Sequence, residues 1–331
     1  MRSSLSKISA PGILAVPFLR RREKKRDVHA GDRFFYYLLR AFGVLVILTL
    51  AGIFFVLGRM ALPAFQKFGP AFLISSDWNP VSDQFGALPF IFGTVVSSLL
   101  ALAIAVPVSV GVALFLTEVA PSRIGRAIGF LVEMLAAIPS VVYSLWGVFV
   151  MVPWLRQYVQ PWLGEHFGFI PLFQGAPFGV GMMAAGLVIA IMITPTISAI
   201  CREVFNAVPR AQREAARALG ATRWEMIRLS VLNSSHLGVL GGVTLGLGRA
   251  LGETMAVTMV IGNRADISAS LFAPAQTMAS VLANEYSEAS SDIHLSALAA
   301  IGFALFLVSV IINTLARLLV WSTMRSQGDQ R

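Results

Sequence analysis

Arg249 and Glu253 are the only charged residues in the apolar stretch Leu237–Ile261. Arg249 lies twelve residues from either end of it. At a rise of about 1.5 Å per residue, a helix here carries Arg249 to the middle of a bilayer. An unpaired arginine there costs about 2.5–3.5 kcal/mol on insertion scales, so such a group faces a bundle interior or a wet cavity. The four-residue spacing puts Glu253 on the same helix face, where the two can pair. Gly238, Gly242 and Gly246 continue that face, with Gly241, Gly248 and Gly252 beside it, and glycines let a neighbouring helix come close. A guanidinium donates two parallel hydrogen bonds to adjacent oxygens, the geometry an oxyanion such as phosphate offers. Glu253 would hold that fork and release it when an anion competes. The plainer alternative is an ion pair that only fixes helix packing.

A second constellation lies upstream, in REVFNAVPRAQREAARALGATRWEMIRLSVLN, residues 202–233. Pro209 suits a helix start. Glu214, Ala215 and Ala216 continue a strong helix former, Gly220 ends or turns it, and an amphipathic piece, Trp224–Leu232, leads onward. Alternating Arg and Glu with small alanines predicts a short, exposed helix that fits a groove on another protein.

The elements that must position these residues are membrane helices. The 331 residues are 56% hydrophobic and 13% charged, with a mean hydropathy of +0.74, whereas a soluble domain carries about 25% charged residues. The net charge of +9 is spread between apolar stretches rather than gathered on one soluble face, which argues against a nucleic-acid partner. Cys201 is the only cysteine, excluding an intrachain disulfide and cysteine-based zinc sites, and His29, His166, His236 and His294 lack metal-ligand spacing. Six stretches approach the roughly 20 apolar residues that a span requires: Phe34–Gly58, Pro89–Leu116, Ala127–Val152, Phe178–Ile200, Leu237–Ile261 and Ile293–Val320. Pro107, Pro139 and Pro195 interrupt three of them and predict bends, with Thr194, Thr196 and Ser198 placed to satisfy freed carbonyls.

Arginine and lysine orient the chain, because short cytoplasmic segments retain positive charge. The N-terminal tail, Arg123 with Arg126, the 201–232 loop and the C-terminal end hold most of it. The segments Arg59–Leu88, Pro153–Pro177 and Gly262–Asp292 carry only Arg59, Lys67, Arg156 and Arg264. Both termini are therefore expected in the cytoplasm. The expected organisation is a basic, disordered tail over 1–33 touching anionic lipid, a first anchor helix over 34–58, a permease-like membrane domain over 89–320 containing the cytoplasmic loop 201–232, and a short tail over 321–331. The apolar run Ile8–Leu19 is broken by Pro11 and Pro17 and precedes the basic cluster Arg20–Arg26, the wrong order for a signal peptide. Glu133, Tyr143, Ser140, Thr254 and Thr258 are pathway candidates by residue type alone.

These residues resemble a known family. Glu214-Ala215-Ala216, three residues and Gly220 match the coupling-loop signature of ABC-importer permeases. The family pattern then runs Ile, any residue, Leu, Pro, where this chain has Ser230, Val231, Leu232 and Asn233. Gly248–Asn263, Glu133–Gly147 and Ser75–Ser98 are similar to the PstC family of phosphate permeases, with Ser144 where glycine is expected, and the likeness runs from about Asp32 onward. The resemblance implies an all-α, type I (MetI-like) importer permease of the bacterial inner membrane, not itself an enzyme. It implies that Glu214, Ala215, Ala216 and Gly220 dock an ATP-hydrolysing subunit and that Arg249 and Glu253 serve phosphate passage. The implied partners are a PstA-like second permease, a PstB-like ATP-binding dimer that carries ATP-Mg, and a PstS-like periplasmic phosphate-binding protein. No cofactor is expected on this chain, which lacks G-x-x-x-x-G-K-[ST]: Lys7, Lys24, Lys25 and Lys67 are its lysines, and none follows a glycine. An ion-coupled secondary carrier, a permease for another oxyanion and a membrane scaffold without a transport role are the rival readings.

Overall fold

The computed structural model describes residues 28–328. Among these the chain contains helices and loops, with no strand and two isolated bridges, Asn79–Gln84 and Gly262–Ala275. In chain order the α-helices are α1 (Val28–Phe68), α2 (Leu88–Leu114), α3 (Ser122–Ala136), α4 (Ser140–Trp146), α5 (Val152–Trp154), α6 (Gln160–Phe167), α7 (Met182–Asn206), α8 (Arg210–Ala218), α9 (Arg223–Met226), α10 (Asn233–Leu251), α11 (Met255–Val260), α12 (Met278–Glu285) and α13 (Asp292–Gly328). π-helical stretches extend α2 over Phe115–Val119, link α4 to α6 through Gly147–Met151 and Leu155–Val159, and join α9 to α10 over Ile227–Leu232.

The chain divides into two units, Met1–Gly52 and Ile53–Arg331. In the first, the described part is helix, its side chains exposed from Gly31 onward. Residues 1–27 of the expected basic tail, and 329–331 of the expected C-terminal tail, lie outside the described residues. Residues 28–33 are already helical, and α13 runs on to Gly328, so 321–328 continue a helix rather than leave it.

In the second unit, α7 is the centre. Its side chains from Met182 to Ile193 are almost all buried, and α2, α3, α10 and α11 pack on it. Small residues make this possible, since helices in lipid gain their association from close packing rather than from escape from water. Ala101 and Ala105 on α2 are fully buried, and a Cβ on Gly186 of α7 would come within 2.5 Å of Leu100. The glycine face of α10 packs on α7 as the sequence predicts: Gly238 faces Val204, Gly242 faces Ile200 and Gly246 faces Ile197. The Ser109 hydroxyl donates across from α2 to the Thr194 carbonyl, just before Pro195.

A second cluster gathers Phe72, Phe85, Phe90, Met278, Leu298 and Ile301. There Ser296 of α13 enters the helical ladder at Pro63, accepting from the Ala64 amide at 2.9 Å and donating to the Met60 carbonyl at 2.8 Å. Trp78 Nε1 donates to Glu285, whose carboxylate also meets His294.

Among the described residues four helices are long and apolar enough to cross a bilayer: Gly31–Leu73, Leu88–Val119, Met182–Asn206 and Asp292–Leu318. A fifth span arises if Arg123–Ala136 and Ser140–Phe167 count as one, although they meet at 93°. Two expected spans therefore differ from straight helices. Ala127–Val152 breaks at Ala137–Pro139, because proline lacks an amide donor and drives the residue before it out of the helical region. Leu237–Ile261 breaks between Leu251 and Met255, with consequences described next.

Candidate functional site

The helix break decides what Arg249 and Glu253 do. The expected pair does not form: no carboxylate lies within ion-pairing distance of Arg249 among the described residues. The physical reason is local. α10 stops at Leu251, so the one-face geometry of a four-residue spacing is lost. The Glu253 carboxylate instead turns forward and accepts from the Ala256 amide at 3.2 Å, one of the amides left without a partner in the first turn of α11, whose own N-cap, Thr254, makes no side-chain bond.

Arg249 reaches the other way, to α7. Its Nη1 donates to the Thr196 hydroxyl at 3.0 Å. Thr196 follows Pro195, where the sequence predicts service to a freed carbonyl; it serves the guanidinium instead. Thr194 donates to the Ala190 carbonyl at 2.7 Å and Ser198 to the Pro195 carbonyl at 3.0 Å. Arg249, Glu253, Thr254 and Thr196 are all half-buried, so the cation is neither sealed in the core nor fully exposed. Tyr143, in α4, crosses the bend to donate its hydroxyl to the Leu135 carbonyl at 2.8 Å, and α4 packs on both α7 and α11. Two broken or proline-bearing segments, α7 and α10–α11, thus meet at one cation held by a neutral hydroxyl.

The segment after α7 folds as its residues dictate. Pro209 precedes α8 with an extended backbone. At the other end Gly220 adopts φ +84°, its amide bonding Arg217 at 3.0 Å while the Ala221 amide bonds Ala216 at 3.1 Å. This six-to-one and five-to-two pairing closes a helix through a left-handed residue. A Cβ on Gly220 would meet nothing within 4 Å, so the requirement is conformational, not spatial. Thr222 and Glu225 then form a reciprocal capping box that opens α9. The Thr222 backbone amide and then its hydroxyl hold the Glu225 carboxyl below its ordinary pKa. Glu214 and Ala215 are exposed and Ala216 half-buried; Leu219 is 90% exposed and Trp224 61%, an apolar pair open to a partner.

Three residues that carry this segment, Arg213, Arg223 and Glu118, do not stand out in the sequence. Arg213 donates to Glu118 at 2.8 Å and to the carbonyls of Val208 and Phe205 at 2.9 and 2.6 Å. Arg223 donates to the Glu118 carbonyl. Glu118 ends the α2 span and its side chain is only 6% exposed, so α8 is clamped to α2 through one carboxylate. The available signal is an acidic residue closing an apolar run, a position that calls for a cationic partner. Glu133, a pathway candidate by residue type, pairs with Arg202 at the end of α7. No group of three metal-ligating side chains occurs among the described residues.

Residues 105–323 match the family described as "Binding-protein-dependent transport system inner membrane component". The chain is 47% identical to the "Phosphate transport system permease protein PstC" of Pasteurella multocida strain Pm70, over 91% of this chain and 95% of that protein. It is 46% identical to the protein of that name from Mesorhizobium japonicum, over 86% and 89% respectively. Among solved structures it is similar to a bacterial ABC transporter involved in import of the acidic polysaccharide alginate, with a TM-score of 0.54 and 16% identity over 88% of this chain and 99% of that one. It is also similar to the inward-facing MetNI methionine ABC transporter, with a TM-score of 0.51 and 18% identity over 70% and 90%. At those identities the two structures speak for the fold alone.

Proposed function

The chain belongs to the binding-protein-dependent inner-membrane transport family, within its PstC phosphate permeases, and from that premise we propose how Arg249 and α8 serve phosphate import. It is a multi-pass permease subunit of an ABC importer for phosphate. It works within a complex that includes other permease, ATPase and binding-protein subunits. ATP hydrolysis belongs to a separate subunit.

The Arg249 guanidinium is the phosphate-binding group of the translocation pathway. The observation that carries this is its bonding: a half-buried cation in an apolar bundle has a neutral hydroxyl, Thr196, as its partner among the described residues. Its charge is thus uncompensated by any carboxylate there, which suits an arriving anion and not a structural ion pair. Glu253 acts at one remove, by accepting from the first turn of α11 and so fixing where the helix breaks. Glu214, Ala215, Ala216 and Gly220 form the docking helix for the ATPase. Movement of that helix passes through Arg213 and Glu118 to the end of α2. Rocking of the bent spans α3–α4, α7 and α10–α11 then exposes Arg249 to one side at a time, the general pattern of midplane sites.

The distribution of arginine favours both termini, and α8, on the cytoplasmic side. One such subunit encloses half a pathway, so the expected companions are a related second permease of the PstA type, a pair of PstB-type ATP-binding subunits that hold ATP-Mg, and a PstS-type phosphate-binding protein outside.

Reconstitution tests this reading. Proteoliposomes containing this chain, a second permease, the ATPase and the binding protein should accumulate radiolabelled phosphate only with ATP. Uptake by this chain alone, driven by an ion gradient, would replace the scheme with a secondary carrier. Equal competition by sulfate or molybdate would move the substrate to another oxyanion.

A further inference from the structure

We infer that the open groove between the end of α2, α3, the end of α7 and the start of α8 is a second binding site for a phosphate group, distinct from Arg249. The groove has a volume of 580 Å³, in the range of small-ligand sites, about 300–1,000 Å³. Arg126, Arg202 and Arg210 line it together with one carboxylate, Glu133. Glu118, the next carboxylate along, is engaged by Arg213.

The arrangement is built rather than incidental. Glu133 holds Arg202 by an ion pair, and Gly129 clears the space for that guanidinium, since a Cβ there would run into it. Arg210 and Asn206 are exposed and make no side-chain hydrogen bond or ion pair with the described residues, leaving solvated donors at the groove's rim. Arg210 is also the first residue of α8, so the positive end of that helix adds to the field. Planar guanidinium forks match the oxygens of a phosphate.

On the orientation proposed above, this site opens on the cytoplasmic side, where basic pockets between membrane helices receive lipid headgroups. Phe130, 61% exposed, also lines the groove and gives it an apolar flank. The ligand chemistry is a phosphate oxyanion; its two sources are an anionic phospholipid headgroup and inorganic phosphate.

The test uses the assembled transporter carrying Arg249→Gln, which keeps the proposed pathway site from contributing. Binding of radiolabelled inorganic phosphate is measured in phosphatidylcholine nanodiscs, and retention of phosphatidylglycerol is measured by native mass spectrometry from mixed nanodiscs. Arg126→Gln with Arg210→Gln should weaken one of the two probes about tenfold, the scale of a lost charged hydrogen bond. Glu133→Gln should strengthen the same probe several-fold by removing the opposing carboxylate. Loss of phosphatidylglycerol alone identifies the headgroup, and loss of phosphate alone the free ion. If neither probe binds the parent, or neither responds to the arginine pair or to Glu133→Gln, the site does not exist. That outcome leaves the Arg249 reading untouched, because Arg249 is absent from every sample.

Discussion

The Arg249 guanidinium bonds the Thr196 hydroxyl at 3.0 Å while Glu253, four residues on, bonds the first turn of another helix. A cation and an anion that look paired along the chain are therefore divided between two jobs. The cation ties α10 to the proline-bearing part of α7, and the anion starts α11.

Glu253 as a backbone acceptor makes a prediction that Glu253 as a counter-ion does not. Glu253→Gln keeps an acceptor for the Ala256 amide, whereas Glu253→Ala removes it at about 1 kcal/mol, the net value of one hydrogen bond. Thermal unfolding of the purified complex should fall for Ala and hold for Gln, with phosphate uptake following the same order. If Gln and Ala lose uptake equally while both complexes keep their unfolding temperature, the carboxylate charge matters and the acceptor role is wrong.

Glu118 and Arg213 should behave as a mechanical link. Glu118→Ala leaves Arg213 inside without its carboxylate, at a cost of about 3 kcal/mol for breaking a mostly buried pair. Phosphate moved per ATP hydrolysed should drop more than the ATPase rate itself. A double-mutant cycle with Arg213→Ala should show a coupling energy above about 0.5 kcal/mol. Additive losses would show that force reaches the bundle by another route.

Gly220 carries its φ of +84° for conformational reasons, with free space around it. Gly220→Ala should therefore cost about 1–2 kcal/mol, the left-handed penalty of an L-residue, and Gly220→Asn less. Co-purification of the ATPase with the permease is the readout. Full assembly of both variants at the parent's stability would mean that the turn relaxes to another closure.

How much of this was legible follows from where each signal lies in the chain. The α2, α7 and α13 spans are continuous apolar runs, and the α8 turn is written locally in Pro209, Gly220 and the Thr222–Glu225 box. The break of α10 was hidden because glycine has two meanings. Gly238, Gly242 and Gly246 open a packing face, and the same residue type at Gly252 lies where the helix stops, with φ −92° and ψ 0°. Spacing alone could not separate them, so Arg249 and Glu253 read as one pair. Pro139 gave a bend but not its 93° extent. The Glu118–Arg213 clamp joins residues 95 positions apart, a separation that local spacing does not reveal.

The proposed role of Arg249, a cation with no carboxylate partner among the described residues, is tested most directly by its own substitution. In proteoliposomes of the full transporter, Arg249→Gln should lower ATP-driven phosphate uptake about 10- to 100-fold, the value of a charged hydrogen-bonding group. Arg249→Lys should retain part of it, because the charge remains while the planar fork is lost. Unchanged uptake by the Gln variant, with the complex intact and its ATPase active, would contradict the assignment.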